Sequence, residues 1–415
     1  MPNRGATVVR LSCLKCGREY EESEARFTCL DCGTEGILDV EYDYDEARRR
    51  LTRESLAASR EHSIWRYLPL LPVGSDENLP VLATGWTPLY DVPGLLGLER
   101  VLIKDDGRNP TASLKDRATA VAMARAVREG VSAVAAASTG NAGCSLSGFA
   151  AAQQMPCYIF VPASAPRPKV AQLLVYGATV FAVDGSYDDA FDLAVTAIEK
   201  FGWYNRCCAV NPYLVEGKKT VAFEVAEQMG FSVPDKVFVS VGDGCIASGV
   251  TKGFREFAEI GLIDRVPEVV GVQAEGCSPM ASAFHASCEL VPTEARTCAD
   301  SIAVGHPRNW RKAVKGIRAS GGTMMTVTDD EIIAAIPALA RSTGVFGEPA
   351  GVTAFAGLTK AAREGGVSPD ETVVVLMTGS GLKDTESAMR SAGEPVAIGR
   401  SISDVEAALA AAGRA

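Results

Sequence analysis

The chain has 415 residues, enough for about two or three domains. It carries 41 basic against 51 acidic side chains, a net charge of −10, which excludes a broad nucleic-acid-binding surface. No apolar run approaches the roughly 18 residues of a membrane span, and the start MPNRGATVVRLSC has no secretory apolar stretch. The expectation is a cytoplasmic protein with neither nucleic acid nor membrane among its partners.

The first 42 residues hold Cys13, Cys16, Cys29 and Cys32, two CxxC pairs separated by twelve residues, each followed by glycine. Two such knuckles deliver four thiolates to one tetrahedral zinc. With all four positions filled by protein, the zinc is structural. It holds together a segment with too little apolar mass to fold alone. The same residues are also compatible with four unmetallated thiols. Cys144, Cys157, Cys207 and Cys208 lie on apolar stretches and read as small buried hydrophobes.

A charged helix is expected from Asp43 to Arg60, then a loop-rich connector from Pro69 to Pro80. Strands and helices alternate thereafter. Val101–Lys104, Ala133–Ala137, Cys157–Val161 and Thr179–Val183 read as strands, with helices after Lys115 and over Gly143–Gln153, Arg167–Tyr176 and Ser186–Phe201. A second series has strands at Val237–Val241, Val269–Gln273 and Thr372–Met377. Its helices are Ser248–Ile260, one opened by the capping box Thr328–Glu331, and Pro349–Glu364. Such alternation predicts parallel sheets covered on both faces. The boundaries read as 1–42 for the cysteine segment, 43–100 with 214–400 for a large α/β domain, 101–213 for a smaller mobile one, and 401–415 for a tail helix.

Lys115 stands in Asn109-Pro-Thr-Ala-Ser-Leu-Lys-Asp-Arg117, immediately before the helix pattern. The positive end of a helix dipole disfavours an ammonium ion, so the neutral amine is more accessible there. That makes Lys115 a candidate imine former, although an isolated Lys-Asp-Arg reads better as a solvated helix start. Four further segments accompany it: Thr84-Gly-Trp-Thr-Pro-Leu89, Ser138-Thr-Gly-Asn-Ala-Gly143, Gly242-Asp-Gly-Cys-Ile246 and Thr378-Gly-Ser-Gly-Leu-Lys-Asp384. The last three follow apolar strands, where α/β sheets bind ligands. A glycine-containing turn such as Gly242, Asp243, Gly244, Cys245 and Ile246 aims backbone N–H groups at one anion. Taken alone it is also an ordinary strand-to-helix turn, and Asp243 would have to face away from a phosphate.

In this order the five segments resemble the threonine synthase group of fold type II pyridoxal-phosphate (PLP) enzymes, over about residues 84–384. The resemblance implies two three-layer α/β/α domains with a cofactor cleft between them, plus the small N-terminal zinc ribbon, and by family habit a homodimer. It implies a PLP-dependent lyase or replacement enzyme acting on a small amino acid, with O-phosphohomoserine to threonine as the nearest named activity. Lys115 then holds the cofactor aldehyde and moves the α-proton, and Gly242–Ile246 anchors the phosphate. Thr378 meets the pyridine nitrogen, Asn141 the ring hydroxyl, and Ser138, Thr139 and Ala142 the substrate carboxylate. None of His62, His285 and His306 falls in a motif, so a histidine base is not expected.

The chain departs from the pattern. Leu214 in Asn211-Pro-Tyr-Leu-Val-Glu-Gly217 replaces an arginine, Cys208 and Ala209 replace polar residues, and Ala112 and Leu114 replace glycine and phenylalanine. A buried phosphate without its guanidinium loses charge-assisted bonds of roughly 1.5–3 kcal/mol each. A substrate other than O-phosphohomoserine is therefore expected unless Arg167, Lys169 or Lys218 compensates. Threonine or serine dehydration, or β-replacement for a specialised amino acid, shares every cofactor motif. A zinc-ribbon recruiting module and a PLP-binding pseudoenzyme are the non-catalytic readings. The acidic balance speaks against the first, and an intact Lys115 against the second.

Overall fold

A computed structural model describes residues 8–25, 27–74, 79–165, 167–208 and 210–412. The strands in chain order are β1 (Val8–Cys13), β2 (Glu19–Tyr20), β3 (Thr28–Cys29), β4 (Gly33–Tyr42), β5 (Leu89–Val92), β6 (Arg100–Asp105) and β7 (Val134–Ala137). They continue with β8 (Cys157–Pro162), β9 (Thr179–Val183), β10 (Tyr204–Asn205), β11 (Lys236–Ser240), β12 (Glu268–Ala274), β13 (Thr323–Val327) and β14 (Thr372–Met377). Three sheets result: β2-β1-β4-β3, β10-β7-β8-β9 and β13-β12-β11-β14-β6-β5. The second is parallel throughout. The third is parallel except for β5, which pairs antiparallel with β6 at the edge.

Side-chain alternation in the large sheet divides two cores. Val237 and Val239 enter one, and Phe238 the other. Val374 and Leu376 join the first, while Val373, Val375 and Met377 join the second. A period of two with both faces apolar is the pattern of a sheet buried between helices. One face carries the helices Cys245–Glu259 and Trp310–Ala319, and Pro349–Arg363 packs on β11 to β14. The small sheet is covered by Asn141–Ala152 and Tyr187–Phe201. This is the expected fold: two three-layer α/β/α units with a cleft between them.

Several local expectations change. The helix expected over Asp43–Arg60 is two, Tyr44–Arg50 and Arg53–Ala58. The Thr52 hydroxyl accepts the Ser55 N–H and Ser55 answers to the Thr52 N–H, a reciprocal cap that starts the second helix afresh. The strand assigned to the smaller domain at residue 101 belongs to the large sheet, because β6 pairs along its whole length with β14. The smaller sheet therefore begins only at β7. A short 3₁₀ helix, Ile64–Leu70, runs into the start of the connector, and residues 75–78 lie outside the described ones. The Thr328 capping box is present. The tail helix runs Ile402–Ala411, capped by Ser401. Among the described residues no helix is long and apolar enough to cross a membrane.

The cysteine segment is fastened to the large domain by buried charge. Asp39 on β4 pairs with Lys252 at 2.8 Å and Lys312 at 2.6 Å. Glu216 receives Lys219 at 2.6 Å, Lys252 at 2.7 Å and the Tyr42 hydroxyl at 2.8 Å. Leu11, Leu38 and Val40 of the same segment are fully buried in the main core.

Candidate active site

The segment leading to Lys115 is held at both ends. Asn109 accepts the Gly85 N–H at 2.9 Å and donates to the Asp106 carbonyl at 3.0 Å, which ties the Thr84–Leu89 motif to the lysine loop. A Cβ on Gly85, whose φ is +85°, would sit 2.5 Å from Glu224 Oε1, so only glycine fits. The Asp116 carboxylate takes the Thr111 N–H at 2.6 Å. Arg117 is fully buried between Asp106 and Glu224. Of Lys-Asp-Arg, two residues therefore build the loop, and Lys115, first residue of the helix Lys115–Arg128, lines the cavity. Ala112 occupies the left-handed region at φ +65°, where a Cβ costs roughly 1–2 kcal/mol. Ala112→Gly is expected to raise stability by about 0.5–1 kcal/mol after the added unfolded-state entropy, checked by denaturant titration.

The loop is sewn to the end of β14. Leu114 N–H donates to the Thr378 carbonyl at 2.9 Å, and Ser380 N–H to the Ala112 carbonyl at 3.1 Å. The Glu348 N–H in turn donates to the Gly379 carbonyl at 3.1 Å. These strand-end loops and the small domain enclose a cavity of about 880 Å³. Lys115, Ser138, Thr139, Asn141, Ala142, Gly242, Asp243, Gly244, Cys245, Ile246 and Thr378 all line it, so tertiary folding brings every cofactor and substrate residue named from the sequence to one place.

The Gly242–Ile246 turn runs from β11 into the helix Cys245–Glu259, whose first N–H groups have no intrahelical acceptor. Gly244 has φ +87°, and a Cβ there would lie 2.9 Å from the Ala313 Cβ. Asp243 turns its carboxylate onto the Arg308 N–H at 2.7 Å, as an aspartate beside an anion site must. Burial pushes that carboxyl above its usual range, against the Arg308 backbone bond and Lys218.

Glu348 and Arg206 also line the cavity, and the sequence reading named neither. Glu348, buried at the start of the helix Pro349–Arg363, accepts the Asn141 amide at 2.6 Å across the cleft. Burial raises its carboxyl, while Lys115 and the Asn141 bond oppose the rise. Arg206 is fully buried; it donates to Thr119 Oγ1 at 3.1 Å and to the Lys115 carbonyl at 3.3 Å, and it too lines the cavity. His306 stands exposed at the rim. The only local signal for Glu348 was an acid directly before a helix-opening proline. Arg206, beyond a short strand, offered none.

Burial lowers the Lys115 ammonium below its usual range. Lys218 and Arg206 reinforce the shift, and Cys208 and Glu348 oppose it. The expected direction holds, but desolvation leads it.

The basic wall also revises the reading of Leu214. That side chain is fully buried in the hydrophobic core and does not line the cavity. Lys218 and Lys169 do line it, whereas Arg167 is exposed elsewhere. Lys169 is paired with Asp300 at 2.6 Å. Cys208 is not an inert hydrophobe: it is half-buried in the cavity wall beside Arg206 and Lys218. Ala209 lies outside the described residues.

In the N-terminal segment, the ligand atoms of Cys13, Cys16, Cys29 and Cys32 lie within 4.8 Å of one another. One ion can meet all four.

The model of the family described as pyridoxal-phosphate dependent enzyme matches residues 81–379. The chain is 40% identical to the threonine synthase of Methanocaldococcus jannaschii over 392 residues, covering 93% of this chain and 96% of the relative. It is 39% identical to that of Methanosarcina acetivorans over 408 residues, covering 96% and 98%. Among solved structures, Escherichia coli diaminopropionate ammonia lyase superposes with a TM-score of 0.64 at 16% identity, covering 93% and 97% of the two chains. Threonine deaminase isoform 2 of Solanum lycopersicum gives 0.63 at 22%, covering 74% and 87%. The fold is thus shared with solved structures of PLP-type enzymes, and the sequence likeness to the two relatives spans more than nine-tenths of the chain. This chain belongs to the pyridoxal-phosphate-dependent enzymes of fold type II, in their threonine synthase-like group, and is a lyase that uses that cofactor.

Proposed function

We propose that the enzyme converts O-phosphohomoserine to threonine with release of inorganic phosphate, as a cytoplasmic homodimer whose cysteine cluster holds a structural zinc. One observation carries the substrate: Arg206 and Lys218 are fully buried cations in the cavity wall that meet no carboxylate among the described residues. They stand beside Lys115, where a second anion besides the cofactor's phosphate can be met.

When bound, pyridoxal phosphate supplies an aldehyde and a conjugated ring that accepts the electron pair of a broken bond next to the substrate nitrogen. The Lys115 amine holds that aldehyde. With its amine free, Lys115 would carry protons between neighbouring carbons of the substrate. Backbone N–H groups of Gly242–Ile246 bind the cofactor phosphate, and Ser138, Thr139 and Ala142 grip the substrate carboxylate. Asn141, braced by Glu348, meets the ring hydroxyl. Thr378 offers the ring nitrogen a neutral hydroxyl rather than a carboxylate, which suits a substrate whose leaving group departs readily. The guanidinium of Arg206 and the ammonium of Lys218 hold the substrate phosphate and favour its departure as an anion.

Phosphate and threonine should both appear when O-phosphohomoserine is supplied. Arg206→Met is expected to lower kcat/KM for that substrate about 10- to 100-fold, the loss of roughly 1.5–3 kcal/mol of charge-assisted binding. A panel with serine, threonine and O-acetylserine separates the second reading, elimination or β-replacement on a non-phosphorylated amino acid. Cys208 in the place of a polar residue favours that reading. Ammonia from serine or threonine without phosphate release from O-phosphohomoserine would establish it.

Metal analysis of the purified chain is expected to find about one zinc per chain, lost in Cys16→Ser together with stability, because binding free energy in such sites is folding free energy. A metal-free protein of unchanged stability would overturn the zinc.

A further inference from the structure

We propose that Cys208 is a covalent modification site inside the active-site cavity, a thiolate held between Arg206 and Lys218 that takes peroxides and small alkylating agents. Its Sγ accepts from Arg206 Nη1 at 3.3 Å and faces Lys218 Nζ at 3.9 Å. Both cations are fully buried, and no carboxylate pairs with either among the described residues. An uncompensated buried cation costs several kcal/mol, so the sulfur is the counter-charge within reach.

Three thiols line this cavity, and their environments separate them. At Cys208 burial disfavours the thiolate, but Lys218, Arg206 and Lys115 outweigh it and bring the thiol to about 7. Burial pushes Cys207 up to about 11 and Cys245, on the facing turn, up to about 12. Because the thiolate is the nucleophile, one sulfur of the three is reactive at neutral pH. Cys208 is half-buried and opens on a cavity that admits small molecules.

With a peroxide, the sulfur attacks one peroxide oxygen and the O–O bond breaks. The sulfur is oxidised by two electrons to the sulfenic state, and the other oxygen leaves as hydroxide or water. With iodoacetamide, a C–S bond forms and iodide leaves. Alkylation removes the negative charge between two buried cations and fills space beside Lys115, so the modified enzyme is inactive. The inference concerns the thiol and holds whichever amino acid the enzyme takes.

The test uses the cofactor-loaded enzyme, iodoacetamide, and peptide mass spectrometry across about pH 5.5 to 9.5. Cys208 is expected to label at least ~10-fold faster than Cys207 and Cys245 at neutral pH, with a midpoint at about 7. Hydrogen peroxide beforehand blocks the label, and a thiol reductant restores it. Lys218→Met is expected to move the midpoint upward and slow labelling at neutral pH several-fold, about the effect of removing one neighbouring cation. Labelling of the exposed Cys288 to completion with Cys208 untouched would overturn the proposal. So would a Cys208 midpoint in the ordinary thiol range that Lys218→Met leaves in place.

Discussion

Lys115→Ala is expected to abolish turnover, by at least ~10³-fold, and to remove the visible absorption that the cofactor shows when covalently held. General base catalysis alone is worth about 10²–10⁴-fold, and loss of the anchoring amine adds to it. The loop itself should survive. Its shape comes from Asn109, Asp116 and Arg117, which bond Gly85, Thr111 and the Asp106–Glu224 pair without help from the lysine side chain. An absorption spectrum and a single-turnover assay at matched folded concentration separate chemistry from folding. A variant that stays coloured and keeps a tenth of its rate would end this account of the site. Because burial lowers the Lys115 ammonium, the neutral amine forms at a lower pH than for an exposed lysine. The rate of amine capture in the parent enzyme therefore rises with pH and levels off below the usual lysine range.

Glu216→Gln is expected to cost about 3–5 kcal/mol, the penalty for breaking a buried ion pair and leaving its partners charged. Glu216 is fully buried against Lys219 and Lys252. Burial alone would raise its carboxyl, but Lys219, Lys252 and Lys312 hold it below the ordinary range. The same helix, Tyr213–Lys218, carries Lys218 into the cavity, so the variant should also weaken binding of a phosphorylated substrate. Denaturant unfolding reads the first effect, and Glu216→Asp, which keeps the charge, should recover much of it. An unchanged midpoint in Glu216→Gln would show that this carboxylate contributes nothing to stability, leaving the Asp39 pairs and apolar packing to hold the cysteine segment. Glu224 extends the argument to pH. Arg117 and Lys104 overcome its burial and bring it to about 2. A carboxyl depressed in the folded state stabilises fully above its unfolded value and loses that contribution as pH falls through the folded one. Acid unfolding should therefore steepen between about pH 4.5 and pH 2, with Glu224 contributing on the order of 3 kcal/mol.

The motif residues were legible because their chemistry is local. A strand that ends in a glycine turn at a helix start leaves free N–H groups wherever it occurs, so the Gly242–Ile246 turn could be read from a few residues. The CxxC spacing was legible for the same reason. Boundaries were harder where capping competed with periodicity: Thr52 splits what looked like one charged helix. β6 reads as the first strand of a new unit, yet it pairs with β14, which follows it by about 270 residues, and no local pattern encodes that partner.

The sequence by itself determined the fold class, through the alternation of strands and helices, and singled out Lys115, the glycine-containing strand-end loops and the four cysteines, since those are marked by backbone turn chemistry or by ligand spacing within a short segment. Only the tertiary structure decided the basic wall. It withdrew Leu214 into the core, brought Arg206 and Lys218 to the cavity, made Cys208 their neighbour, and set Glu348 against Asn141 across the cleft. Those groups acquire their partners from burial, and burial is a property of elements far apart in the chain that come together only when both layers close around the same space.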